Sequence, residues 1–211
     1  MDKQIISKVL DILANTYKGV KCGLNFDSPY ELLVSTILSA QCTDERVNKV
    51  TEELYKEYNT PQKMVTLSQE QLGEKIKSCG LYKNKSKNIL SATKDILNKF
   101  NGKIPNTRQE LMTLAGVGRK TANVVLSNAF NVPAIAVDTH VFRVANRIGI
   151  GKGKNVNEVE KQLMQNVPKE MWSDTHHYII WHGRKICKAR KPECSKCPLN
   201  NYCEYYKDNK E

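Results

Sequence analysis

No apolar run in this 211-residue chain approaches the roughly 20 residues a membrane-spanning helix needs, so no membrane partner is expected. Nor does any stretch alternate apolar and polar residues with the period of a half-buried strand. Ala134 to Val137 comes nearest, and nothing in the sequence offers it a partner strand. The opening Met-Asp-Lys-Gln-Ile-Ile has neither a long apolar core nor a small-residue cleavage site, so no secretory signal is expected. The chain therefore reads as cytoplasmic and soluble. Disulfides are disfavoured in that compartment, which leaves seven cysteines needing another role. Cys22, Cys42 and Cys79 are scattered and read as small core residues.

Helical periodicity fills most of the rest, and the expected fold class is all-α with roughly ten helices. A hydrophobic content of 40% is enough for a real core. The net charge of +11 suits a polyanionic partner, because lysine and arginine displace counterions from a phosphate backbone. Ser28-Pro29-Tyr30-Glu31 reads as a helix start with a capping box, opening a helix to Ala40 that is apolar on nearly every side and must be buried. Further helices are expected over 45–58, 86–100, 139–147 and 174–186, with Asn157 and Glu160 starting another. Cys79 to Lys85 reads as a loop holding Leu81 between glycine and lysines.

Two stretches carry chemistry. In the first, Leu111 and Leu114 close a helix, Gly116 and Gly118 bracket Val117, and a second helix starts near Arg119. Glycine lets another backbone approach closely, and amides at a helix start form an anion site that suits a phosphate diester. An ordinary αα-turn with a glycine stop has the same local pattern. Lys120, however, falls in the first helical turn, where the macrodipole repels a cation. That is a poor structural choice and a good position for a nucleophile. Asp138 precedes Thr-His-Val-Phe-Arg and is expected to cap a helix, which does not exclude a second role.

The second stretch is Cys187-x6-Cys194-x2-Cys197-x5-Cys203, with Pro192 and Pro198 between the thiols. Four clustered thiols imply a metal centre, either tetrahedral zinc or a four-iron cluster. Arg184, Lys185, Lys188, Arg190 and Lys191 form a basic run with no acid among them, suited to phosphate contact if pinned by metal ligands at both ends.

Leu-Ala-Gly-Val-Gly-Arg-Lys-Thr-Ala-Asn-Val-Val, followed by Val-Asp-Thr-His, resembles the helix-hairpin-helix DNA glycosylases. The lysine resembles that of their bifunctional glycosylase/AP lyase branch, and the resemblance spans nearly the whole chain. One departure is Ala115, where the family usually has proline. The resemblance implies a helical barrel domain over 22–132, with the hairpin at about 107–130. It implies a second, iron-sulfur domain formed by 1–21 and 133–211, and an active cleft between the two.

It also implies a [4Fe–4S] cluster on Cys187, Cys194, Cys197 and Cys203, and an enzyme of base excision repair acting on damaged double-stranded DNA as a monomer. Lys120 and Asp138 would be catalytic. Gly116, Val117, Gly118 and Arg119 would grip the backbone, with Arg184 and Lys191 as further phosphate contacts. Gln41 and Leu81 would fill the gap left by a flipped nucleotide. His140 would either orient Asp138 or touch DNA, a surface histidine being the alternative. The adenine-mismatch branch of the family has a catalytic glutamate where this chain has Thr36 and lacks the hairpin lysine. A non-enzymatic helix-hairpin-helix DNA-binding module with a metal-bound tail is the reading from outside enzymology.

Overall fold

The computed structural model describes residues 1–209, whose regular elements are all helices, with no strand among them. The chain forms two compact units, Cys22–Asn131 and a second built from Met1–Lys21 with Val132–Glu211.

The first unit contains α2 (Pro29–Leu38), α3 (Asp44–Glu57), α4 (Pro61–Met64), α5 (Gln69–Ile76), α6 (Tyr82–Lys99), α7 (Arg108–Leu111) and α8 (Arg119–Ala129). Helix α2 is buried on all sides as its composition requires, from Tyr30 to Leu38, and packs against α3, α6 and α8. Leu32, Leu33, Leu38, Ile89, Ile96 and Leu111 are all fully enclosed, each contributing about 1.5–3 kcal/mol of apolar burial. Ser28 caps α2 through the Glu31 amide, but the Glu31 carboxylate bonds the Asp27 amide at 2.6 Å instead of closing back on Ser28. A full capping box forms at Ser68 and Gln71.

Helix α6 begins four residues earlier than the apolar pattern predicts. Leu81 adopts a left-handed backbone at φ 48°, and the lysine-rich segment expected as loop becomes the first turn. Lys85 is the reason the periodicity misleads: it is a charged residue buried at 4% exposure on the inward face.

The second unit contains α1 (Lys3–Thr16), α9 (Thr139–Ile148), α10 (Val156–Asn166), α11 (Trp172–Lys185) and the short α12 (Glu204–Asp208). Its core joins Val9, Leu10 and Leu13 of α1 to Val141, Val144 and Ile148 of α9, with Leu163, Ile179, Leu199 and Cys203. Ile135 and Val137, strand-like in sequence, enter this core from a segment that forms neither helix nor strand. The cap of α10 is Asn155, not Asn157. Asn155 Oδ1 accepts the Glu158 amide at 3.0 Å, and the Glu158 carboxylate takes the Lys154 amide, so the same motif sits two residues earlier than predicted. Cys79 is buried as expected, whereas Cys22 and Cys42 are half-exposed. No described helix is long and apolar enough to cross a membrane.

Candidate nucleic-acid interface and metal centre

Most helices here start on a side chain that accepts an amide: Asp2, Ser28, Thr43, Thr60, Ser68, Thr107, Asp138 and Asn155. Helix α8 starts on Gly118 with no side-chain cap, leaving its first-turn amides without an intrahelical acceptor. The hairpin before it is tight. Its first helix, α7, has only four residues, and Gly116 turns at φ 78°. A Cβ on Gly116 would stand 3.0 Å from that of Asn88 on α6, so both dihedral and space demand glycine. Gly118 lies in open space at ordinary φ, so its missing side chain leaves the turn approachable without being required by the fold.

Val117 differs from its neighbours. Its side chain is buried at 6% exposure and its amide is already donated to the Leu114 carbonyl at 3.1 Å. It anchors the hairpin from inside, and its amide is already engaged within the turn. Gly116 and Gly118 have no acceptor for their amides among the described residues. Arg119 and Lys120 are exposed. Lys120 therefore stands in solvent at the positive end of the α8 macrodipole.

Gln41 and Leu81 occupy loop tips of the same unit. Both are exposed, Leu81 at 53%, and both hold left-handed backbones, at φ 55° and 48°. Among the non-glycine residues with positive φ, Asn101 and Asn131 are ordinary, since asparagine tolerates this region. Gln41, Leu81 and Lys191 (φ 51°) are not. Strain at an exposed, bulky residue persists only where surrounding structure enforces it, and it concentrates at functional sites.

In the other unit, Asp138 caps α9: its Oδ1 accepts the Val141 amide at 2.7 Å. His140, in the first turn, is half-buried; its Nδ1 lies 3.2 Å from an Arg143 nitrogen and its ring packs on Gly183 of α11. Burial pushes its pKa down, opposed by the charge of Asp138. This is neither a free surface histidine nor a core one. Arg184 is exposed with its guanidinium over the Trp181 ring. Lys191 is exposed, while Lys188 of the same basic run is engaged by Glu193 at 2.6 Å.

Cys187, Cys194, Cys197 and Cys203 line one pocket, walled also by Ile148, His182 and Tyr205. Among the described residues no three His, Cys, Asp or Glu groups gather at a single-ion position. The four thiols do share one pocket, and four cysteines are the donor set of an iron-sulfur cluster. Burial pushes the Cys197 thiol up to about 11 and raises that of Cys203. Ionising such thiols requires a cation beside them, which thiolate-bound iron supplies. Around the ring the protein provides polar support: Arg147 reaches the Cys187 sulfur at 3.6 Å, and His182 Nε2 lies 3.5 Å from that of Cys197. Burial drives the His182 pKa to about 4, keeping the ring neutral, and Tyr17 meets its Nδ1 at 2.9 Å. The residues fit an iron-sulfur cluster.

Sequence reasoning did not single out Lys85, Arg143, Arg147, Tyr17 or His182. The spacing of Arg143 and Arg147, one turn apart on α9 and followed by a cysteine tail, was the available signal.

A capless helix-hairpin-helix in one helical unit and a four-cysteine tail in the other define a class of DNA repair protein. Residues 34–169 match the model of HhH-GPD superfamily base excision DNA repair proteins, and residues 187–203 match the iron-sulfur binding domain of endonuclease III. Endonuclease III of Bacillus subtilis is 51% identical over 92% of this chain and 89% of its own length. That of Escherichia coli K12 is 51% identical over 86% of each. A solved structure of a trapped endonuclease III–DNA covalent intermediate, an estranged-adenine complex, superposes with a TM-score of 0.94 at 49% identity, covering 99% of this chain and 98% of that one. The chain belongs to the endonuclease III family, and its cofactor is a [4Fe–4S] cluster.

Proposed function

We propose that Lys120 and Asp138 carry the chemistry of a bifunctional DNA glycosylase and AP lyase that removes oxidised pyrimidines from duplex DNA. The observation that carries this reading is an exposed lysine in the first turn of a helix that starts without a side-chain cap, in a chain 49% identical to a protein trapped as a covalent DNA intermediate. The glycosidic bond of a stacked nucleotide is out of reach, so the nucleotide must leave the helix. The Gly116 and Gly118 amides hold a phosphate, with Arg119, Arg184 and Lys191 adding charge. Gln41 and Leu81 occupy the vacated stack, a wedge role that suits their exposed, strained tips.

Lys120, as the neutral amine, adds at C1′; the glycosidic C–N bond breaks and the base departs with its electron pair. Asp138 takes the proton released by the lysine and supports positive charge developing on the sugar. Ring opening gives an imine between Lys120 and C1′. This imine acidifies the C2′ proton, whose loss expels the 3′ phosphate oxygen and cuts the strand by β-elimination. His140, held by Arg143 and α11, orients the Asp138 turn.

Cys187, Cys194, Cys197 and Cys203 would hold the cluster, whose contribution is to pin the basic loop. The protein acts as a monomer, in the cytoplasm at the nucleoid. The test is base release and strand nicking on a thymine glycol duplex by Lys120→Ala: both should vanish while DNA binding persists. Unchanged base release would remove Lys120 from the mechanism.

A further inference from the structure

Lys85 is 4% exposed, yet it carries an ammonium. Its Nζ donates to the Leu38 carbonyl at 2.8 Å and to the Cys79 carbonyl at 2.8 Å. Leu38 is the last residue of α2, three residues before Gln41, and Cys79 lies two residues before Leu81. Neither carbonyl accepts any backbone amide outside the helices, as expected for groups at helix ends. The Lys85 backbone amide, in turn, donates to the Leu81 carbonyl at 3.0 Å. One residue thus holds the bases of both strained loops.

Among the described residues no carboxylate offsets the Lys85 charge; burial lowers its pKa, opposed by the nearby thiols of Cys42 and Cys79. An apolar side chain would fill the same space without desolvating a cation. What an apolar side chain lacks is a pair of directed bonds joining two segments 47 and 6 residues away in sequence. We propose that Lys85 is a positioning residue for nucleotide extrusion: its buried ammonium ties the Gln41 loop to the Leu81 loop, so that both tips enter the duplex at a fixed spacing. This rests on the reading that Gln41 and Leu81 fill the vacated stack.

The test compares Lys85→Met, similar in shape but without donors, with Lys85→Arg, which retains donors for both carbonyls, and with Leu81→Gly. Each cluster-loaded protein is assayed for base release from a thymine glycol duplex and for β-elimination on a single-stranded abasic oligonucleotide, which needs no extrusion. Fluorescence of 2-aminopurine beside the lesion reports unstacking. Lys85→Met should lower the ratio of duplex to single-strand rates roughly 10–100-fold, the scale expected for misplacement of about an ångström. It should also shrink the fluorescence rise, add little to Leu81→Gly, and be largely rescued by arginine.

If Leu81→Gly impairs the duplex reaction and Lys85→Met does not, the tie is wrong and the wedge reading stands. If Leu81→Gly has no effect, the wedge reading itself falls. Equal losses on both substrates would make Lys85 a general structural residue and overturn the inference. Should Lys85→Met not fold, Lys85→Gln, which can still reach one carbonyl, carries the same comparison.

Discussion

Arg143 grips the Cys187 carbonyl twice, through Nε at 3.2 Å and a terminal nitrogen at 3.0 Å. The same guanidinium donates to Gly183, and one turn on, Arg147 donates to the carbonyls of Lys188 and Ala189 at 2.7 and 3.1 Å. Helix α9 thereby carries Asp138 at its start and the cysteine loop on its side. Removing Arg147 takes two exposed carbonyl bonds and a sulfur contact from the cysteine loop, at a cost of about 1 kcal/mol. Arg147→Ala should bleach the cluster's visible absorbance at lower temperature than the parent, whereas Lys152→Ala, whose partner is an exposed ion pair with Glu204, should leave it alone.

Gly116 and Gly118 separate fold from function. Gly116→Ala meets Asn88 at 3.0 Å and a left-handed dihedral, and should lower the stability of the Cys22–Asn131 unit by about 1–3 kcal/mol. Gly118→Ala meets nothing within 4 Å and should leave thermal unfolding unchanged while weakening DNA affinity, since the new methyl would obstruct backbone approach. Calorimetry and fluorescence anisotropy on the two variants check this; equal loss of stability in both would contradict it.

Asp138 has a structural role in capping α9 and a proposed chemical one, and two substitutions divide them. Asp138→Asn keeps an acceptor for the Val141 amide and should unfold like the parent while base release slows strongly. Asp138→Ala should lose activity and about 1 kcal/mol of stability as well. An active Asp138→Asn would limit this residue to its cap.

Cluster removal should disturb one unit far more than the other. Cys203 and Leu199 sit in the core with Val144 and Ile148, so losing the group that joins the four thiols loosens that core directly. After iron extraction, amide hydrogen exchange should rise in α9, α11 and α12 and stay low in α2 and α6. Uniform exchange throughout would contradict a locally structural cluster.

Much of this was legible in the sequence because it is written in local chemistry. Ser28, Ser68 and Asp138 do what caps do, the all-apolar α2 is buried, and Gly116 marks a turn that only glycine makes. The errors are also physical. Asn155 and Asn157 both precede a glutamate by three residues, so the local pattern fits either, and Asn155 takes the cap. Lys83 and Lys85 look like loop, yet Lys85 turns inward to two carbonyls distant in sequence, a partnership no local pattern encodes. The burial of Val117 between two exposed glycines is likewise set by packing that the hairpin sequence does not spell out.

The most direct measurement is borohydride trapping of the cluster-loaded protein on a duplex with one thymine glycol, beside Lys120→Ala. The account predicts a covalent protein–DNA adduct in the parent and none in the variant. A folded parent that releases base but forms no adduct would contradict the Schiff-base mechanism and leave a monofunctional glycosylase.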